Sequence, residues 1–175
     1  MDHLSSSQQE FILHWGEMGT RWGVNRMVAQ IHALLYLSPQ PVHSEEIANT
    51  LAVARSNVST SLKELQNWGL IRVTHVMGDR RDHFESLKDV WEMYRVLLEE
   101  RKRRELNPTL EMLHELMDEL EKGGDEEAYT RDRIKDITRF LEGVLSWFEE
   151  VRSLPKETIL KLMKLGMKIQ KVLSR

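Results

Sequence analysis

Phe11, Trp15, Met18 and Trp22 recur at three- and four-residue steps, the period of an amphipathic helix, and Ser7 with Glu10 has capping-box spacing at its start. Val24, Met27, Val28, Ile31, Leu34 and Leu35 give a second helix a broad apolar face, and the stretch Ser38-Pro39-Gln40-Pro41 ends it. Ile47, Ala48 and Leu51 mark a short third helix. Ser44 is placed to cap it, and Glu45 and Glu46 fall in its first turn, where acids offset the positive end of the helix dipole. A fourth helix begins near Arg55 or Ser56, with Val58, Leu62 and Leu65 on its buried side. After Gly69 the period drops to two. Ile71 and Val73 alternate with Arg72 and Thr74, Gly78 supplies a hairpin tip, and His83 to Leu87 returns as a second strand with Phe84 for the core.

From Lys88 onward the pattern is helical again. Val90, Trp91, Tyr94, Leu97 and Leu98 open a helix expected to run to Leu106, and Asn107 with Pro108 reads as the cap and first-turn proline of the next. That helix carries Leu110, Leu113, Leu116, Met117 and Leu120 and ends at the joint Gly123-Gly124. Ile134, Ile137, Leu141, Val144, Leu145, Phe148 and Val151 line a long helix; Pro155 restarts the chain, and Ile159, Leu162, Met163, Ile169 and Leu173 line the last. The expected fold is mainly α with a small β wing: supporting helices in 1–38, a winged helix-turn-helix in 39–87, and a helical linker, dimerisation and effector region in 88–175. The terminal helices carry more apolar surface than one small reading domain covers, which implies a partner. An identical subunit is the simplest partner, because a two-fold dimer presents two recognition helices about one DNA turn apart; intramolecular packing in a monomer is the alternative.

The free side of the fourth helix shows Arg55, Ser56, Asn57, Ser59, Thr60 and Lys63. Short hydroxyl and amide side chains let a helix backbone approach base edges, and Asn bonds bidentately to adenine in the major groove. The same residues would also serve to cap a helix and keep it soluble. Asp79, Arg80, Arg81 and Asp82 sit at the hairpin tip, where an arginine can enter the minor groove or meet phosphate, or where a local Asp–Arg pair can simply fill a solvated turn. Helix, helix and wing in this order favour DNA reading, with Asn57, Ser59 and Thr60 nearest the bases and Ser56 and Lys63 near phosphate.

The run from Ser44 to Leu87, with S-N-V-S-T-S-L-K-E-L-Q-N-W-G-L-I and G-D-R-R, resembles the DNA-binding domain of MarR-type regulators. The Trp-Gly at the end of the fourth helix and the preceding R-W-G-V-N-R-M-V-A-Q-I-H-A-L-L-Y-L-S resemble the GbsR-like branch. The resemblance implies a winged-helix regulator with Asn57, Ser59, Thr60 and Lys63 on the recognition helix and Arg80 and Arg81 on the wing. Thr60 stands where many relatives have arginine. Beyond Lys88 only the helical layout is shared.

Charge complicates this picture. The chain of 175 residues has a net charge of −3, so a basic face must come from local placement: Arg55, Lys63, Arg72, Arg80 and Arg81 on one side, with Glu45, Glu46 and Glu64 pointing elsewhere. The run Arg101 to Arg104 after Glu99 and Glu100 reads as a solvated helix face with ion pairs, and the acidic stretch Asp118 to Glu127 as an exposed connection. Without cysteine there is no thiol catalysis, disulfide or Cys-based metal site. His114-Glu115 lacks the second histidine of a zinc-protease helix, and neither a phosphate loop nor a nucleophile elbow occurs. The adjacent pairs Glu126 and Glu127, and Glu149 and Glu150, read as surface. The expectation is a non-enzymatic, cofactor-free cytoplasmic protein, with no apolar run long enough for a bilayer and no basic leader in Met1 to Gln9.

Its expected partners are double-stranded DNA, a second copy of itself and a small effector. Trp91 and Tyr94, one helical turn apart, could share a pocket with Trp147 or Phe148 and hold a quaternary ammonium group by cation–π contact; choline is the ligand that the GbsR-like resemblance implies. Aromatics at helical spacing also serve as core. The rival expectation is a helical interaction module, antirepressor-like, that keeps the winged fold without binding DNA.

Overall fold

The computed structural model describes residues 4–122 and 127–173, with side chains as far as residue 165. Gly123-Gly124, Glu126 and the side chains of Ile169 and Leu173 lie outside the described residues. Two compact units divide the chain, Met1–Leu97 and Leu98–Arg175.

In the first unit, α1 (Ser6–Arg21) is capped by Ser5 rather than Ser7: Ser5 Oγ accepts from the Gln8 amide while Gln8 Oε1 accepts from the Ser5 amide. The face of α1 set against α2 (Arg26–Leu37) is also narrower than its aromatic stripe. Ile12, Gly16 and Gly19 are its buried residues, while Phe11 stacks on Trp15 and Trp22 meets Trp15 edge-on. A Cβ on Gly19 would lie 2.5 Å from Ala29 Cβ, so glycine is what lets the two backbones approach. Asn25 caps α2, which is buried nearly all round from Val28 to Leu35.

Those helices share one apolar core with the elements that follow. Ile12, Val28, Ile31 and Leu35 join Ile47, Val58, Leu62, Leu65, Leu70, Ile71, Phe84 and Met93. The N-terminal helices therefore buttress the winged segment directly. A short strand β1 (Val42–His43), invisible in the two-residue alternation, leads into α3 (Ser44–Leu51). His43, not Ser44, caps α3, its Nδ1 accepting from the Glu45 amide at 3.2 Å. Ala52 in the left-handed region turns the chain towards α4 (Arg55–Asn67). Gly69, at φ 77°, then releases the chain into β2 (Ile71–Thr74), and β3 (His83–Ser86) pairs antiparallel with both β2 and β1 in the order β1-β3-β2. Phe84 faces Val42 on one side and Val73 on the other. Lys88 then closes the sheet against α2, its Nζ donating to the carbonyls of Leu35, Tyr36 and Ser38 at 2.7–2.8 Å. These are the unsatisfied acceptors at a helix C-terminus.

α5 (Val90–Arg101) does not stop at Asn107-Pro108. A π-helical turn over Lys102–Leu106 leads straight into α6 (Asn107–Glu121), and Asn107 itself is helical at φ −61°, ψ −50°. A wide turn accommodates a proline that has no N–H to give. In the second unit α7 (Ala128–Ser153) runs antiparallel to the chain before it. Arg131 Nε meets Leu120 O, His114 pairs with Glu142, Lys102 with Glu149 and Glu99 with Arg152. The expected ion pairs within the charged run are present, from Arg103 and Arg104 to Glu100 and from Arg101 to Glu105. α8 (Lys156–Leu173) follows Pro155. No described helix is long and apolar enough to cross a membrane.

Candidate nucleic-acid interface

α4 carries the expected division of faces. Val58, Ser61, Leu62, Leu65 and Trp68 are buried, while Arg55, Ser56, Asn57, Ser59, Thr60, Lys63 and Gln66 are exposed. Its N-cap is Ala54, which has no side-chain oxygen, and among the described residues the side chains of Ser56, Asn57 and Ser59 make no hydrogen bond. These polar groups are not occupied in capping the helix. Thr60 differs: its Oγ1 donates back to Ser56 O at 3.1 Å.

Beside this helix stands the β2–β3 hairpin, turned by Gly78 at φ 86°. A cleft of about 670 Å³ lies between them, lined by Arg55, Ser59, Lys63 and Gln66 of α4, by Arg80, Arg81 and Asp82 of the wing, and by His43 and Ser44. Arg55, Ser59, Lys63, Arg80 and Arg81 are thus brought to one concavity. Ser56, Asn57 and Thr60 lie elsewhere on the same open helix. Gln66 escaped the sequence reading. It could have been found, because it continues the 55, 59, 63 series at helical spacing.

The charges depart from expectation at two places. Glu45 does not point elsewhere: its Oε1 lies 2.7 Å from Arg55 and its Oε2 3.7 Å from Arg81. The reason is local, since the first turn of α3 lies beside the first residue of α4. Arg72 is not free for the basic face either, because the strand register sets it opposite Glu85, with 2.6 Å between Nε and Oε1. At the tip Arg81 also grips Asp79, the local pair foreseen as an alternative. The hydrogen bonds from that guanidinium hold the Asp79 carboxyl well below the usual carboxylate range. Lys63 and Arg80 are exposed and form no ion pair among the described residues.

The expected effector aromatics fall in both units. Trp91 is half-buried and Tyr94 exposed on α5 in the first; Trp147 is exposed and Phe148 half-buried on α7 in the second. Neither pair makes a ring contact among the described residues.

A helix-turn-helix followed by an antiparallel wing, with a polar helix face and two wing arginines open to solvent, defines a winged-helix module. Residues 22–82 match the model of the MarR family, so the winged-helix segment of this chain is similar to that family. A crystal structure of a transcriptional regulator is similar in fold, with 21% identity, 82% of this chain and 99% of that chain covered, and a TM-score of 0.55. Two further structures are a MarR-family regulator from a Rhodococcus species (15% identity, 93% and 87% covered, TM-score 0.39) and a zinc-responsive MarR family member, ZitR, from Lactococcus lactis (20%, 82% and 99%, TM-score 0.35). No curated protein gives a significant match.

Proposed function

We propose that the chain is a homodimeric repressor that reads a pseudo-palindromic operator with α4 in the major groove and the wing arginines on the minor groove or its backbone. The observation that carries this reading is the open polar flank of α4 facing one cleft with Arg80 and Arg81. Asn57, Ser59 and Thr60 read bases at the helix start, and Arg55, Ser56, Lys63, Arg80 and Arg81 hold the backbone. Support for a second copy comes from α7, whose Ile137, Phe140, Val144 and Trp147 are all exposed. Within this reading the protein belongs to the GbsR-like branch and takes a quaternary ammonium effector such as choline against its exposed aromatic faces. A saturable change in tryptophan fluorescence with choline, coupled to loss of operator binding, is the expected result.

Duplexes recovered from a random pool by the purified protein supply the operator. Random duplex DNA is then titrated over a range of salt, where binding should weaken steeply as salt rises. No shift of any duplex at low salt overturns the proposal in favour of a winged module that binds a protein instead, the reading to which the acidic balance points.

A further inference from the structure

Each arginine on the reading cleft can meet a phosphate only if it leaves whatever holds it in the free protein. Glu45 faces two of them, although Asp79 grips Arg81 more closely, at 2.5 Å. It stands in the first turn of α3, the helix that buttresses α4, and its two carboxylate oxygens face the guanidinium of Arg55 at the start of α4 (2.7 Å) and that of Arg81 on the wing (3.7 Å). Two oxygens of one anion spanning recognition helix and wing occupy these cations as a backbone phosphate would. Glu46, the next residue, is exposed and makes no ion pair among the described residues, so the placement belongs to Glu45 and not to acidity in general.

We propose that Glu45 is an internal phosphate mimic: it occupies Arg55 and Arg81 together in the free protein, is exchanged for DNA phosphate on binding, and so lowers affinity for every duplex while tying the two cations to one another. This rests on the DNA-reading role of the same face. The exchange leaves a carboxylate close to the DNA backbone, and a retained negative charge there cancels part of the counterion release that drives association. Such a tuning group suits a face with few cations left free.

Glu45→Gln keeps the shape and one acceptor oxygen while removing the charge; Glu46→Gln makes the same change in net charge away from the cleft. Both variants and the native chain are titrated with a random duplex and with a selected operator across salt, after thermal melting confirms that each is folded. Glu45→Gln should bind both duplexes about three- to tenfold more tightly near 0.1 M salt, with the slope of log K against log salt steeper by about 0.9, one additional phosphate. Glu46→Gln should change little. In addition, the losses from Arg55→Gln and Arg81→Gln should be non-additive in the native background and additive in Glu45→Gln. Weaker binding by Glu45→Gln overturns the proposal, because Glu45 would then position the arginines for DNA. An equal gain from both variants overturns it as a general charge effect, and unchanged affinity and slope overturn it outright. Absence of binding by the native chain and both variants would instead remove the DNA-reading role itself, a distinct outcome.

Discussion

His32 shows how one side chain ties stability to pH. It lies on α2, 4% exposed, with Nε2 3.2 Å from Ser86 Oγ. Burial, reinforced by the positive charge of Lys88, lowers its pKa from 6.5 to about 4. The unfolded chain therefore takes up a proton near pH 6.5 that the folded chain refuses until about pH 4. Stability is fully present above pH 6.5 and falls through that window, by about 3 kcal/mol in all at about 1.4 kcal/mol per pKa unit. The denaturant midpoint of the native protein should drop between those pH values, and His32→Gln should flatten that drop; an unchanged pH slope would assign the effect to other groups. A second prediction at this scale separates the roles on the reading face. Asn57→Ala should cost about 1–3 kcal/mol at one operator position and little on random DNA, whereas Arg80→Ala should weaken all duplexes and lower the salt slope by about 1. Binding to operator variants checks both, and equal losses on specific and random DNA would count against the division.

Close packing makes α1 more sensitive at one glycine than at another. A methyl on Gly19 meets Ala29 Cβ, which cannot move without the α2 backbone, while a methyl on Gly16 meets Gln30 Cγ at 2.6 Å and Arg26 Cγ at 3.2 Å, side-chain carbons that can shift by a change of rotamer. Gly19→Ala should therefore destabilise the first unit by about 1–3 kcal/mol, and Gly16→Ala should cost less, because two long side chains can re-orient and alanine favours helix. Thermal melts of both, with similar losses as the contrary result, decide it. The same helix shows what the sequence made legible. Its existence and period were readable from Phe11, Trp15 and Met18, but not the true contact face, because glycines carry no hydrophobic signal. α3, α4 and the wing were readable because periodicity, Gly69 and Gly78 all agree there. β1 was not, since two residues cannot show an alternation. The break expected at Asn107 failed because proline tolerance there comes from a π turn, a backbone adjustment with no residue signature. On the reading face, exposure of the α4 flank followed from period alone, while the partners of Arg55 and Arg72 depended on the turn between helices and on strand register.

For the molecule as a whole, the proposed function requires a net charge of −3 to coexist with attraction to DNA. The acids that Arg55, Arg72 and Arg81 face leave Lys63 and Arg80 as the unpaired cations of the cleft, so one copy offers few phosphate contacts. Two copies on one duplex double that number, which makes assembly central to the proposed function. α7 has the sequence for it. Ile134, Thr138, Leu141, Leu145 and Phe148 step by four and three along one seam, and these positions are buried or half-buried. Ile137, Phe140, Val144 and Trp147 step by three, four and three along another, and they are 38–68% exposed. Such spacing is that of a coiled-coil seam, and these four positions are left exposed among the described residues. Replacing Phe140 and Trp147 together by glutamate places two charges in that seam, so the double variant should sediment as one chain where the native protein sediments as two. Operator affinity should fall by at least tenfold because each half-site is then bound alone, while the first unit should melt as before. A double variant that retains the native mass and operator affinity would assign the second copy, and the reading of the two half-sites, to some other surface.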